Sequence, residues 1–582
     1  MLFLERAADW LAEGGTLGFI TSNKFIRNRY GEKIRQFIIQ NYQPRELINF
    51  GDISVFEAIQ AYPLVFIADR INKDTRSRSS DEFQPEDYAF TYGQVTEALP
   101  EIKQTAVTSE ATDSDGGLET EPEIAAEEQL RDLIRRYLPE TPGDEPPIPS
   151  STESVSEEVE EAVEEQETPP IQVYPVRSEL LAGKEWKFIP TDEHDVVYQM
   201  EEGAKEFQNF SGERVAKNGV QTGSNDIFLV DSATIKEYGI EDEMYKPFVA
   251  GEDVQRWHSE AKVDEYLLHT TPETNLDDYP GTKEYLEDNR EELEDRYTVK
   301  QGKKWYQLAR HRPETFDKKK VVTPDICYYS NFWFDESADM YALNTSYCLA
   351  LGAVDGYYLA GVLNSDAVQF YLRRSAPKYG NNYMRYQRDY IFGLPIPDPA
   401  EDDNTVVDKV ISLSKELHEL AESYQDAKSQ ALSPENILDG YNTESLSFAA
   451  YIQTLELDDV DGEVSPSQDG TIVRVNVQSS VELISEETAE AFTTLVRELD
   501  VETIGELENL ELPTSADGLV AAAKTYEESQ SAVESAPDEA RELEKKLNKQ
   551  VHSLYSLNPE ARDLVDKRVD KPENPLEAKV RE

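Results

Sequence analysis

Residues 361–397 read GVLNSDAVQFYLRRSAPKYGNNYMRYQRDYIFGLPIP. The stretch opens with the period of an amphipathic helix. Leu363, Val368, Phe370, Tyr371 and Leu372 supply apolar contacts, and Asn364-Ser365 sits near its start. It then becomes a loop in which Arg373, Arg374, Lys378, Arg385 and Arg388 face Asp389 alone, with Tyr379, Asn381, Asn382, Tyr383, Tyr386 and Tyr390 between them. Lys and Arg hold phosphates, Asn and Arg read base edges, and Tyr does either or packs, so the pattern suits a nucleic-acid surface. A solvated helix end followed by a polar loop accounts for the same residues.

The rest of the chain makes that island unusual. Over 582 residues, 117 Asp and Glu outnumber 57 Lys and Arg, for a net charge of −60 and a pI near 4.4. The length allows several domains with ample core. Wholesale disorder does not fit 31 Tyr, 21 Phe and long apolar patterning. Such charge is tolerated in molar salt, where the Debye length shrinks to about 3 Å, so a halophilic host is expected. An acidic partner-binding protein that avoids nucleic acid would lack basic clusters, whereas this chain has a second one. Cys327 and Cys348 lack metal-ligand spacing and point to a reducing compartment without a zinc or other metal site. No apolar run approaches the roughly 20 residues of a membrane span, and Glu5, Asp9 and Glu13 exclude a signal peptide. A cytoplasmic protein without membrane contact is expected.

At the N-terminus, residues 2–13 have helical spacing and Gly14-Gly15 stops them. TLGFITS (16–22) reads as a buried strand, residues 23–42 as one amphipathic helix, and ELINFGDI (46–53) and YPLVFIAD (62–69) as two more strands. Helix, strand, helix, strand, strand is the back half of a doubly wound sheet. A sheet that stopped there would leave an open apolar edge and an uncovered face. Asn23, Lys24 and Arg27 follow the first strand at its carboxyl end, where open α/β sheets bind ligands; phosphate contact fits them, but helix capping and solvation are the commoner explanations.

Residues 73–180 are acidic and rich in Ser, Thr and Pro, a largely disordered linker interrupted by a helical EEQLRDLIRRYL (127–138). Apolar content returns at 181. Gly219 and Gly223 bracket a polar turn before a strand IFLV (227–230), and Trp257 reads as core. The second basic cluster is VKQGKKWYQLARHRPETFDKKK (299–320). Arg310 and Arg312 suit bidentate guanine contact, and the lysine triplet 318–320 suits phosphate attraction. Residues 321–360 read as strands and 406–425 as a helix. Residues 431–535 form an acidic insertion with strands near 471–478 and 481–484, and 540–567 read as a helix pair.

The segment AGVLNSDAVQFYLRR…GNNYMRYQRDYIFGLPIPDP resembles the end of the TaqI-like C-terminal specificity domain. That domain is the target-recognition module of adenine-N6 DNA methyltransferases and type IIG restriction–modification proteins. VQTGSNDIF and WYQLARHRPETFDKKKVVTP are similar to earlier blocks of the module. GGTLGFITSNKFIRNRYGEKIRQFI and INFGDISVFEAIQAYPLVFI resemble the second half of the methyltransferase domain. The resemblance implies the α/β back half of a Rossmann-like methyltransferase sheet (1–72), the linker (73–180), an α+β target-recognition domain (181–430), the insertion (431–535) and C-terminal helices (536–582).

The implied reaction is methyl transfer from S-adenosylmethionine to a flipped adenine of double-stranded DNA. The family's Asn-Pro-Pro-Tyr or Asp-Pro-Pro-Tyr tetrapeptide and its Gly-rich cofactor turn do not occur in this sequence. The chain alone is therefore expected to hold no catalytic residue and no cofactor. Either the gene is split and a front-half methyltransferase partner completes the domain, or Met1 is a false or truncated start. The resemblance makes Phe56 the aromatic that stacks on the extruded base, although a plain core phenylalanine fits the pattern too. It assigns DNA contact to Gln221, Thr222 and Asn225, to Lys303, Lys304, Arg310 and Arg312, and to Arg373, Arg374, Lys378, Asn381, Asn382, Tyr383, Arg385 and Arg388. A catalytically dead DNA-binding specificity subunit and an acidic interaction protein are the alternatives. The Glu-x-Lys triplets at 260–262 and 577–579 are chance matches in so acidic a chain, and no nuclease is expected.

Overall fold

The computed structural model describes residues 2–27, 31–50, 63–71, 89–95, 171–178, 181, 186, 188–211, 216–259, 264–311, 316–376, 378–379, 383–386, 388–432, 437–438, 440–446, 449–458, 462–499 and 501–578. Phe56, Arg312, the helix expected at 127–138, and the side chains of Lys378, Asn381 and Asn382 lie outside them. The chain divides into two compact units. One comprises Met1–Glu202, Arg373–Tyr383 and Leu557–Leu564; the other comprises Gly203–Leu372, Met384–Ser556 and Val565–Glu582.

The first unit is built on five strands, β1 (Thr16–Ser22), β2 (Tyr42–Asn49), β3 (Pro63–Arg70), β4 (Ala89–Val95) and β5 (Ile171–Arg177), in the order β1-β3-β2-β4-β5. β3 runs antiparallel between β1 and β2, which therefore run the same way; β2 is parallel to β4, and β5 closes antiparallel on β4. β4 and β5 fall inside the stretch expected to be linker and extend the sheet by two strands. α1 (Leu2–Trp10), α2 (Lys24–Arg27) and α3 (Glu32–Asn41) accompany the sheet. Leu4, Ile34, Ile38, Leu47, Phe66, Phe90, Trp186 and Phe188 share its core.

The single helix expected at 23–42 is instead α2 and α3. A Cβ on Gly31 would lie 2.2 Å from the Phe25 carbonyl oxygen, so the chain passes there only as glycine. α1 is anchored by Tyr42 Oη, which donates to Leu4 O at 2.7 Å, and by Arg70 Nε, which donates to Ala8 O at 3.0 Å.

In the second unit an antiparallel sheet joins Trp333–Asp335, Lys320–Pro324, Ser346–Ala350 and Ala216–Asn218 in that order, and Glu265–Leu268 pairs between Leu229–Asp231 and Tyr245–Lys246. Val220, Phe228, Leu267, Leu308, Phe316 and Val322 lie in the core between them. The expected amphipathic helix from 361 is two helices, Gly356–Leu363 and Asp366–Ser375, and residues 358–372 are buried throughout. Asn364 makes the break. Its amide nitrogen donates to Arg256 O (2.6 Å) and Phe332 O (2.8 Å), and its oxygen accepts from the Phe332 N–H (2.9 Å). A helix continuing through Asn364 would lose these buried partners.

Helices Asn404–Leu432 and Ala516–Leu554 pack along each other. Between them the acidic insertion is a folded element. Ile452–Glu456, Ser480–Leu483, Ile472–Arg474 and Ser467–Asp469 form an antiparallel sheet, and Glu486–Glu498 packs on it. Val473, Val481, Phe492 and Leu495 are fully buried there. The C-terminal segment returns to residues 328–331: Asn331 Nδ2 donates to Ala578 O, and Tyr328 Oη donates to Asp570 Oδ2, both at 2.9 Å.

Candidate nucleic-acid interface

Two loops of the second unit bring the Gly219–Asn225 turn and the second basic cluster together. Val220 N–H donates to Ala342 O at 2.7 Å, which fixes the entry to the first loop. A Cβ on Gly219 would lie 2.0 Å from Leu343 O, so the backbones approach where only glycine fits. Gln221 then pairs with Arg310: Gln221 N–H donates to Arg310 O at 3.1 Å, and Arg310 N–H donates to Gln221 O at 2.9 Å. Ala309 N–H continues the ladder to Thr222 O at 3.2 Å. Gly223 turns the chain with φ +85°. The strand expected at 227–230 begins as a helical turn, Asn225–Phe228, before Leu229–Asp231 extends; Ser224 enters that turn in extended backbone.

A buried cation that the sequence reading passed over holds the loops. Arg296 donates from Nη1 to Thr222 O (2.9 Å), from Nη2 to Trp305 O (2.5 Å) and Gln307 O (3.0 Å), and from Nε to Leu293 O (3.1 Å). Its guanidinium also lies 4.9 Å from the centre of the Phe228 ring. Burial pulls its pKa down from the ordinary arginine value. In sequence it is one cation after an acidic run, so nothing marks it. Trp305 is covered on one side by Arg290, whose guanidinium stands 4.7 Å from the ring centre.

The expected contact residues fall into distinct settings. Arg310 and Asn225 are exposed, Gln221 is half-buried, and Thr222 is buried. Thr222 Oγ1 donates to Asn225 Oδ1 at 2.6 Å, which orients the Asn225 amide with its NH2 donors away from the threonine. Ser224 Oγ donates to Glu292 Oε1 at 3.0 Å, placing a carboxylate beside the turn. Lys303 Nζ donates to Ala309 O, and Lys304 Nζ donates to Pro272 O at 2.6 Å, so both ammoniums brace the loop. The Arg310 side chain makes no hydrogen bond or ion pair with the described residues. Lys320 departs from the solvated triplet: it is fully buried, 2.5 Å from Asp335 Oδ2, with Phe316 O at 3.0 Å.

The island of 373–390 does not present its cations uniformly. In the first unit Arg374 forks onto Glu193, Nε to Oε2 at 2.9 Å and Nη2 to Oε1 at 2.6 Å. Arg373 and Tyr383 are half-buried. In the second unit Arg385 and Arg388 are exposed. Arg385 stands opposite Ile326 in a strand pair, and the Arg388 guanidinium lies 4.8 Å from the Phe392 ring centre. Trp257 is core, as its sequence setting suggested, with Nε1 donating to Glu544 Oε1 at 2.9 Å. At the carboxyl ends of β1, β2 and β4, Asn23 Nδ2 donates to Asn49 Oδ1 (2.8 Å), and Asn49 Nδ2 donates to Tyr92 Oη (2.8 Å) and Gln94 Oε1 (3.0 Å). These polar groups are spent on one another. Among the described residues no cluster of His, Cys, Asp or Glu could hold a metal, and no helix is long and apolar enough to cross a membrane.

Comparison with known proteins agrees with the sequence resemblance. Residues 1–56 match the family model of the Eco57I restriction-modification methylase, and residues 246–396 match that of the TaqI-like C-terminal specificity domain. The type II methyltransferase M.BstVI of Geobacillus stearothermophilus is 24% identical over 443 residues, 74% of this chain and 67% of the relative. M.PaeR7I of Pseudomonas aeruginosa is 22% identical over 409 residues, covering 69% and 58%. RM.Eco57I of Escherichia coli, a type II restriction enzyme and methyltransferase, is 36% identical over 76 residues, 13% of this chain and 8% of the relative. The chain thus spans about two thirds or less of these relatives. Among solved structures, the type IIL restriction-modification enzyme MmeI in complex with DNA overlaps 95% of this chain and 52% of its own, at 10% identity and a TM-score of 0.38. The type IIG restriction endonuclease BpuSI overlaps 71% and 44%, at 12% identity and a TM-score of 0.30.

Proposed function

We propose that this chain, similar in sequence to type II restriction–modification methyltransferases with a TaqI-like specificity domain, recognises the DNA target of a site-specific adenine-N6 methyltransferase. The observation that carries this is the braced pair of loops at Gln221 and Arg310. In an overwhelmingly acidic chain, an exposed arginine and polar side chains stand on two loops held together by backbone hydrogen bonds, where they can present donors and acceptors to base edges. Lys303, Lys304 and Arg296 stiffen those loops, so contact with DNA costs little ordering.

The first unit supports a front-half partner. Among the described residues β1 pairs on one side only, with β3, and α1 and β1 leave Phe3 71%, Trp10 79% and Ile20 57% exposed. Exposed aromatics beside an unpaired strand edge suit burial against the remainder of a larger sheet. S-adenosylmethionine supplies the methyl group in this reading and belongs to the front half. The Asn23, Asn49, Tyr92 and Gln94 groups, bonded to one another, do not fit a cofactor site, and no step is routed through them. Phe56 would stack on the extruded adenine, and cytoplasmic, high-salt conditions would suit the charge.

Co-expression with the product of the gene immediately upstream, in high potassium chloride, tests the proposal. Methylated genomic adenine is expected. Unmethylated adenine together with sequence-selective DNA binding would reduce the chain to a recognition subunit, and absence of binding would refute the DNA role.

A further inference from the structure

We propose that Gln221 and Arg310 read two adjacent base pairs as one unit, the glutamine at an adenine and the arginine at a guanine. The inference rests on the DNA-recognition reading and narrows it to a dinucleotide.

The two residues exchange both main-chain hydrogen bonds, at 3.1 and 2.9 Å. That makes them a directly opposed, hydrogen-bonded antiparallel pair, whose Cα atoms stand about 5.5 Å apart. Directly opposed residues in such a pair send their side chains to the same face. Long side chains from two such points converge on neighbouring base pairs, which are stacked about 3.4 Å apart, and not on pairs several steps away. The chemistry of the ends is complementary to purines. A carboxamide offers one donor and one acceptor to adenine N6 and N7, and a guanidinium offers two donors to guanine O6 and N7. Neither side-chain end has a hydrogen-bonding partner among the described residues. The nearby lysine heads are instead committed to Ala309 O and Pro272 O. The loops that carry the pair are fixed from behind by Arg296, so the spacing is built in before DNA arrives.

The test is selection of duplexes from a randomised library by the full-length chain in molar potassium chloride, for wild type, Gln221→Ala, Arg310→Ala and Arg310→Gln. Wild type is expected to enrich a site containing an adenine next to a guanine. Arg310→Ala should erase the guanine preference at that one position, with a loss of roughly tenfold to a hundredfold against the wild-type site. Gln221→Ala should erase the adenine preference at the adjoining position, and Arg310→Gln should convert guanine to adenine. Because Arg310 is exposed, its variants should melt as wild type does. Relaxation at two positions that are not neighbours, or control of other bases, overturns the inference. So does a wild-type site that the substitutions leave unchanged, and in that case general DNA recognition stands. A wild-type chain that enriches nothing overturns both.

Discussion

The Arg296 guanidinium donates to Thr222 O at 2.9 Å while its other nitrogens reach Trp305 O and Gln307 O, so one buried cation spans both loops that carry Gln221 and Arg310. Removing it strands several carbonyls away from water and opens a cavity beside Phe228. Arg296→Ala should cost about 3 kcal/mol, and Arg296→Lys should recover little, because a single ammonium cannot fork to all of them. Urea midpoints in molar potassium chloride measure this; an unchanged midpoint would mean the loops are held some other way.

Gly223 and Gly239 both sit at positive φ, +85° and +64°, but in different surroundings. A Cβ on Gly223 would lie 3.1 Å from both Ala309 Cβ and Arg296 Nη1, whereas one on Gly239 meets nothing within 4 Å. Gly239→Ala should therefore cost about 1 kcal/mol of backbone strain alone. Gly223→Ala should cost more and should also weaken DNA binding by displacing the loop. Equal stability losses with equal DNA affinities would contradict the difference.

Arg256 and Glu544 form an ion pair 3.4 Å apart that is almost wholly removed from solvent, and Glu544 also accepts from Trp257. Burial pushes the Glu544 carboxyl up from its ordinary range, and Arg256 draws it back. Glu544→Gln leaves the guanidinium buried without its counter-charge and should cost about 3–5 kcal/mol. Adding Arg256→Met should restore part of that. Denaturation of the two single variants and the double variant reads the coupling, and strict additivity would show that the pair does not act together.

His418 is buried and neutral. Its Nδ1–H donates to Ser414 O at 2.7 Å and its Nε2 accepts from Phe334 N–H at 3.4 Å; burial lowers its pKa from 6.5 to about 4. The unfolded chain takes up that proton first. This share of stability, up to about 3 kcal/mol, is therefore complete above pH 6.5 and is lost as pH falls toward 4. Melting temperatures at pH 7.5 and 4.5 should fall by less in His418→Leu than in wild type. An equal fall would assign the acid sensitivity to other groups.

What the sequence disclosed depended on range. TLGFITS forms β1, bounded locally by Gly14-Gly15, but it is not the buried strand expected: it lies at the end of the sheet order and none of its residues is buried. Asn404–Leu432 has an unbroken helical period. β4 and β5 were hidden because AFTYGQV finds its partner, IQVYPVR, far along an acidic stretch whose composition argues for linker. The break at Asn364 comes from Arg256 and Phe332, contacts that no local window contains. The basic cluster was visible as composition. Which cations face outward was not, since Lys320 and Arg296 are sorted inward by Asp335 and by carbonyls distant in sequence.

A band shift in molar potassium chloride, comparing wild type with Arg310→Ala plus Arg312→Ala, bears most directly on the DNA-recognition reading. Wild type should retard a duplex carrying its selected site, and the double variant should lose most of that retardation while melting normally. No retardation by wild type, or the same retardation by both proteins, would contradict DNA recognition through these loops.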